Sequence, residues 1–137
     1  MIKMKVKLDT EIIQTINLFQ NITGSSVKDC INDKEEIYFV VGEGQHGFTV
    51  GKNGAKIKHA EKVFKKIIKI FEYSPELEGF IKKMIPESES ITIGKDEIVV
   101  KVKPGSRAKV IGKGGRNIKI INMFLSRLFN VNNLKVR

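Results

Sequence analysis

Two short loops hold the residues in this chain best suited to chemistry. Gly51-Lys52-Asn53-Gly54 and Gly112-Lys113-Gly114-Gly115 each set glycines around a lysine and a small or polar residue. Glycine has no Cβ, so the backbone turns tightly and a ligand comes within reach of main-chain N–H groups. A helix beginning behind each loop, near Ala55 and near Arg116, would aim unpaired N–H groups and its positive dipole end at the same spot. Lys52 and Lys113 add mobile charge. The chemistry on offer is the holding of an anion, a phosphate above all. One Gly-x-x-Gly is a weak signal, because glycines often end helices. Two copies in matched surroundings are a strong one.

Catalytic and cofactor chemistries find no comparable support. Gly42-Glu43-Gly44-Gln45-His46-Gly47 satisfies the dinucleotide pattern G-x-G-x-x-G, but a second glycine loop interrupts the helix that should follow, and no β-α-β unit succeeds it. The repeat of that stretch, Lys103 to Ala108, lacks two of the three glycines. A nucleotide P-loop fails because neither Lys52 nor Lys113 precedes a Ser or Thr. Cys30 is the single cysteine, and His46 and His59 stand at no ligand spacing, so neither a disulfide nor a zinc site is expected. No Ser-His-Asp set, Cys-His pair or carboxylate pair recurs in the two copies. The expectation is a protein without catalytic residues, cofactor, metal or small-molecule substrate.

Positioning two equal loops calls for two equal scaffolds, and the chain repeats at an offset of 61 residues. Besides the loops, Ile57-Lys58 falls on Ile118-Lys119, Val41 on Val102 and Glu36-Ile37 on Glu97-Ile98, without a gap. Upstream, Ile16 and Phe19 fall on Leu77 and Phe80, so the hydrophobic register of a preceding helix repeats as well. Ile12, Ile13, Ile16 and Phe19 recur at helical spacing behind Asp9-Thr10, as do Leu77, Phe80, Ile81 and Met84 behind Ser74-Pro75. Two extended runs follow in each copy: Val27 to Ile31 and Glu36 to Val41, then Ser90 to Ile93 and Glu97 to Lys103. Next come a short helical stretch, the loop, a second helix and a closing strand. That strand is Leu134 to Val136 in the second copy. In the first it is placed at Ile68 to Tyr73, where Ile67, Ile68 and Phe71 would equally extend the helix. Residues 3–8, with Met4, Val6 and Leu8 alternating, read as a strand-like extension. The resulting division is 1–74, including the extension 1–8, and 75–137, each an α+β unit with a three-stranded sheet covered by helices.

The net charge of +10 is placed asymmetrically: residues 98–137 hold ten Lys and Arg and no Asp or Glu, while the first 97 residues balance. This excludes acidic disorder and leaves nucleic acid, an acidic lipid surface or an acidic protein as partners. Aromatic residues are few, and Tyr38 and Phe39 fall within a strand, which argues against an exposed stacking platform. The start of the chain lacks an unbroken apolar signal region and no stretch approaches a membrane span, so a cytoplasmic location without membrane contact is expected.

The order helix, strand, strand, helix, Gly-x-x-Gly, helix, strand resembles the type II KH fold. Val50-Gly51-Lys52-Asn53-Gly54 and Ile111-Gly112-Lys113-Gly114-Gly115 resemble the invariant loop of KH domains. Two such units in succession, joined through Lys69 to Pro75, are similar to the KH pair of NusA transcription factors in their short archaeal-type form. The resemblance covers residues 9–137. It implies a single-stranded RNA-binding factor in transcription elongation, termination or antitermination, with each loop clamping about four nucleotides. RNA polymerase is a further candidate partner. The binding residues it implies are Val50, Gly51, Lys52, Asn53, Gly54 and Lys56 in the first copy, and Arg107, Lys109, Ile111, Gly112, Lys113, Gly114, Gly115 and Arg116 in the second. An apolar groove for the bases would add Val41 and Ile57, and Val102 and Ile118, which serve equally well as core. Lys58, Lys62, Lys65, Lys66 and Lys69 fit an ordinary solvated face. The alternatives are a ribosomal RNA assembly factor and a protein-interaction scaffold without RNA binding; the lysine in each loop weighs against the latter. The second copy is expected to dominate, because Arg107, Lys109 and Arg116 surround its loop where the first has His46, Phe48 and Ala55.

Overall fold

The computed structural model describes the backbone of residues 2–137 and the side chains of residues 10–137. β-Branched and aromatic residues crowd Glu36–Val41 and Ile98–Val102, and each run becomes the central strand of a three-stranded sheet. The chain divides into two compact α+β units, Met1–Tyr73 and Ser74–Arg137.

In the first unit α1 (Ile2–Thr23) precedes the antiparallel pair β1 (Val27–Asn32) and β2 (Glu36–Val41). There follow α2 (His46–Val50), a 3-10 turn at Lys52–Gly54, α3 (Ala55–Phe64) and β3 (Ile67–Glu72), which lies parallel to β2. The second unit has the same order: α4 (Leu77–Met84), β4 (Ser88–Ile93), β5 (Ile98–Val102), α5 (Arg107–Ile111), a 3-10 turn at Lys113–Gly115, α6 (Arg116–Phe129) and β6 (Leu134–Val136). Its strands pair in the same directions.

The repeat extends to irregularities. Register shifts between Val27 and Asp29 in β1, and between Ser88 and Ser90 in β4, at the same offset. Such a bulge bends the strand and re-aims its side chains. Correspondence breaks at two places: α1 has 22 residues against 8 in α4, and behind the loop α6 has 14 against 10 in α3, one additional turn.

Each unit has its own apolar interior. Phe19 of α1 stacks on Phe39 of β2 with ring centroids 3.8 Å apart. Cys30, Ile37, Val41, Ala60 and Ile68 complete that buried cluster. In the second unit Phe80 of α4 meets Phe129 of α6 at 5.4 Å, and Ile98, Val100 and Val102 are buried along one face of β5.

Two expectations change. Residues 3–8, read as a strand-like extension, belong to α1. Met4, Leu8 and Ile12 are also four apart, and continuing a helix satisfies backbone groups that a solitary strand would leave open. The open choice after α3 resolves as strand. Lys65 leaves the helix in the left-handed region (φ 59), with its N–H donating to the Glu61 carbonyl at 2.8 Å. The Glu61 carboxylate then accepts the Ile68 N–H at 3.0 Å, and Ile67–Glu72 pairs with β2. Among the described residues no helix is long and apolar enough to cross a membrane.

Candidate nucleic-acid interface

The two glycine loops adopt one backbone. Gly51 and Gly112 both have φ 81, with ψ 170 and 167. Asn53 (φ 56) and Gly114 (φ 64) are left-handed, as are the closing Gly54 (φ 74) and Gly115 (φ 77). At the first glycine the conformation belongs to a region that is essentially glycine-only. The space is closed too: a Cβ on Gly51 would stand 2.8 Å from Lys56 Cγ, and one on Gly112 2.8 Å from Asn117 Cγ. Gly54 N–H donates to Gly51 O at 3.1 Å and Gly115 N–H to Gly112 O at 3.0 Å, closing each turn. α3 and α6 start directly behind, and neither N-terminus carries a side-chain cap. Ala55 N–H donates to Lys52 O and Arg116 N–H to Lys113 O, so what each helix offers an anion at the loop is chiefly its positive dipole end. Lys52 and Lys113 are exposed beside them.

Behind equal loops stand different braces. Lys56 Nζ donates to Thr23 O at 2.8 Å and to Phe48 O at 3.1 Å, and lies 3.7 Å from the centroid of the Phe48 ring. Its charge sits close to the loop while its hydrogen bonds tie α1, α2 and α3 together. The Thr49 hydroxyl donates to Gln45 O at 2.7 Å and is hydrogen-bonded to the Ser25 hydroxyl, and the Gln45 side-chain oxygen accepts the Ser26 N–H at 2.8 Å. In the second unit the counterpart of Lys56 is Asn117, whose Nδ2 donates to Lys109 O at 3.1 Å, the carbonyl that corresponds to Phe48. Lys109 itself makes an ion pair with Glu87 at 3.2 Å.

The structure sorts the residues expected to bind. Val50 and Ile57, and Ile111 and Ile118, are half-buried. Val41 and Val102, expected in the apolar groove, are buried, because each ends the strand face that also carries Ile37 and Phe39 or Ile98 and Val100; they support the groove from within. Arg116 is exposed at the first position of α6. Arg107 is exposed at the end of α5 away from the loop, where it lines an open pocket with Lys101, Lys103 and Arg137. Two residues escaped the sequence reading. Phe48 is 56% exposed, and its signal was position: two residues before Val50, where the second copy has Lys109. Asn117 was signalled only by its alignment with Lys56. Among the described residues no group of three or more His, Cys, Asp or Glu is placed to hold a metal ion.

Comparison with known proteins agrees with this geometry. Residues 13–85 match the family model described as "KH domain". Similarity over nearly all of this chain extends to proteins named "Probable transcription termination protein NusA". The one from Methanococcus vannielii is 41% identical, with 97% of this chain and 80% of the relative covered. The one from Methanocaldococcus jannaschii is 33% identical, covering 96% and 75%, and that from Thermoplasma acidophilum 32% identical, covering 97% and 96%. The crystal structure of APE1850 superposes with a TM-score of 0.77 at 32% identity, over 93% of this chain and 99% of that one. The chain belongs to the NusA-type family of KH-domain proteins.

Proposed function

We propose that the chain is a single-stranded RNA-binding transcription factor of NusA type, in which each of two tandem type II KH units clamps RNA backbone at its glycine loop. The observation that carries this reading is the recurrence of one glycine-dependent backbone, φ 81 with ψ near 170 and then left-handed residues, at positions 61 apart and each time at the start of an uncapped helix. Phosphate oxygens would lie at the loop, where the positive dipole ends of α3 and α6 favour an anion, with Lys52 and Lys113 neutralising charge. Arg116 adds a cation at the start of α6. Bases would lie against the half-buried Val50 and Ile57, or Ile111 and Ile118. The exposed Phe48 ring, held by Lys56, offers the first unit a surface on which a base can stack. Single strands are favoured over duplex because base edges must reach these side chains. The family relationship supports action on nascent transcripts during elongation and termination, with RNA polymerase as the protein partner, and a binding rather than a catalytic role.

The test is a pair of loop variants, Lys52→Asp with Asn53→Asp, and Lys113→Asp with Gly114→Asp. Nothing stands within 4 Å of a Cβ at Gly114, and Asp tolerates the left-handed region, so both should fold. Each variant is expected to lose affinity for single-stranded RNA while keeping its circular dichroism spectrum. Wild-type binding by well-folded variants would refute the clamp.

A further inference from the structure

The second unit has a cationic pocket that the loop clamp does not use. β5 alternates strictly: Ile98, Val100 and Val102 are buried, whereas Val99 is half-buried and Lys101 exposed. The opposite face of β4 and β5 therefore presents Val99 and Lys101, and pairing sets Thr92 across from Val99 and Ser90 across from Lys101. At the end of that face an open cavity of about 600 Å³ is lined by Ser90, Thr92, Lys101, Lys103, Arg107 and Arg137 among others, and no Asp or Glu lines it. Among the described residues none of its four cations is held in an ion pair, unlike Lys69, Lys82, Lys109 and Lys135. The volume lies within the range of small-ligand sites. Four cationic residues line this cavity, and a polyanion entering it would relieve their mutual repulsion. Arg107 connects this pocket to the loop, since it opens the five-residue helix α5 that leads directly into Gly112. The rise along such a helix is about 7 Å.

We propose that this pocket is a second phosphate-binding site for the same single-stranded RNA, engaged by nucleotides beyond those clamped at the Lys113 loop. The inference rests on the RNA-binding reading. The Lys and Arg side chains would hold phosphodiester oxygens, and the hydroxyls of Ser90 and Thr92 would hydrogen-bond the ribose or a base edge. The same repeat gives the first unit no equivalent, because Tyr38 and Val40 occupy the positions of Val99 and Lys101 and are both buried, and by strand pairing Phe71 stands where Arg137 does.

The experiment compares Lys101→Gln with Arg107→Gln against a control of equal charge loss elsewhere in the unit, Lys82→Gln with Lys95→Gln. The probes are labelled, unstructured single-stranded RNAs of four and of sixteen nucleotides, titrated at several salt concentrations. Each phosphate contact contributes about 0.7 to the slope of log affinity against log salt. The pocket variant should flatten that slope by roughly 1.4 on the longer RNA if each substitution removes one contact. It should match the control on the shorter RNA, which the loop alone can hold. Circular dichroism checks that both variants fold; should Arg107→Gln disturb α5, Lys101→Gln with Lys103→Gln replaces it. A pocket variant indistinguishable from the control on both RNAs would overturn the proposal, and so would an equal loss on both lengths. Unchanged RNA binding with weakened capture of purified RNA polymerase would overturn it in favour of an acidic protein surface. Loop variants that bind as wild type would instead refute the clamp itself, a separate result.

Discussion

At Gly51 and Gly112 conformation and space exclude a side chain independently: φ is 81 at both, and a Cβ would press on Lys56 or Asn117 at 2.8 Å. Gly51→Ala and Gly112→Ala are each expected to cost about 1–3 kcal/mol of stability. RNA affinity should fall with them, because the turn that presents the α3 or α6 N-terminus must move. Chemical denaturation and RNA titration of each variant measure the two effects. Asn53 supplies the contrast, since its φ of 56 is one that asparagine tolerates and its counterpart is Gly114. Asn53→Gly should leave binding nearly intact. Phe48 is a different case, an apolar ring left 56% exposed on a cationic brace. If a base stacks there, Phe48→Ala should weaken RNA binding by about 1–3 kcal/mol. Phe48→Tyr, which keeps the aromatic face, should restore it. Equal affinities for the alanine variant and wild type would remove Phe48 from the interface.

The elements hold these residues through cores made by the helix in front of each sheet. Phe19 and Phe39 are fully buried and stacked at 3.8 Å, so Phe39→Ala should destabilise the first unit by about 3–5 kcal/mol, seen as an earlier melting transition. Much of this scaffold was legible in the sequence. An apolar run of β-branched and aromatic residues behind a turn gave β2 at its observed bounds, and helical spacing gave α4 from Leu77 to Met84. The Gly-x-x-Gly repeat located both loops, because glycine is the residue that φ 81 demands. What could not be read depended on partners distant in sequence. Whether Ile67 to Glu72 continues a helix or joins a sheet is decided by pairing with β2, some thirty residues earlier, and local periodicity contains no record of it. Lys56 looked like a phosphate ligand by its place near a helix start, yet its ammonium is held by the Thr23 and Phe48 carbonyls, one of them from α1. Lys109, expected to bind RNA beside its loop, is paired with Glu87 just ahead of β4. Burial of Val41 and Val102 follows from which strand face the helices cover, a fact of tertiary packing.

Over the whole molecule charge is divided unevenly between the units. Residues 1–73 hold twelve Lys and nine acidic side chains, a net +3; residues 74–137 hold thirteen Lys and Arg and six acidic side chains, a net +7. The second unit should therefore lead in affinity, but the source of its advantage differs from the one its loop sequence suggests. Lys109 is paired with Glu87 and Arg107 lines the pocket, which leaves Lys113 and Arg116 as the cations at the second loop itself. The extra attraction comes mainly from Lys101, Lys103, Arg107 and Arg137. Single strands lose about 0.7 in salt slope for each phosphate contact removed. Disabling the second loop with Lys113→Asp and Gly114→Asp should release the RNA from both loop and pocket, because the pocket alone has no clamp. Disabling the first with Lys52→Asp and Asn53→Asp removes only its own contacts. On a sixteen-nucleotide RNA the slope should thus flatten by about 1.4 more for the second pair than for the first. With Lys101→Gln and Arg107→Gln already in place, that difference should nearly vanish. Equal slopes for the two loop variants in the otherwise wild-type chain would show that unit charge does not set the order of the copies, and a larger loss from the first pair would reverse it.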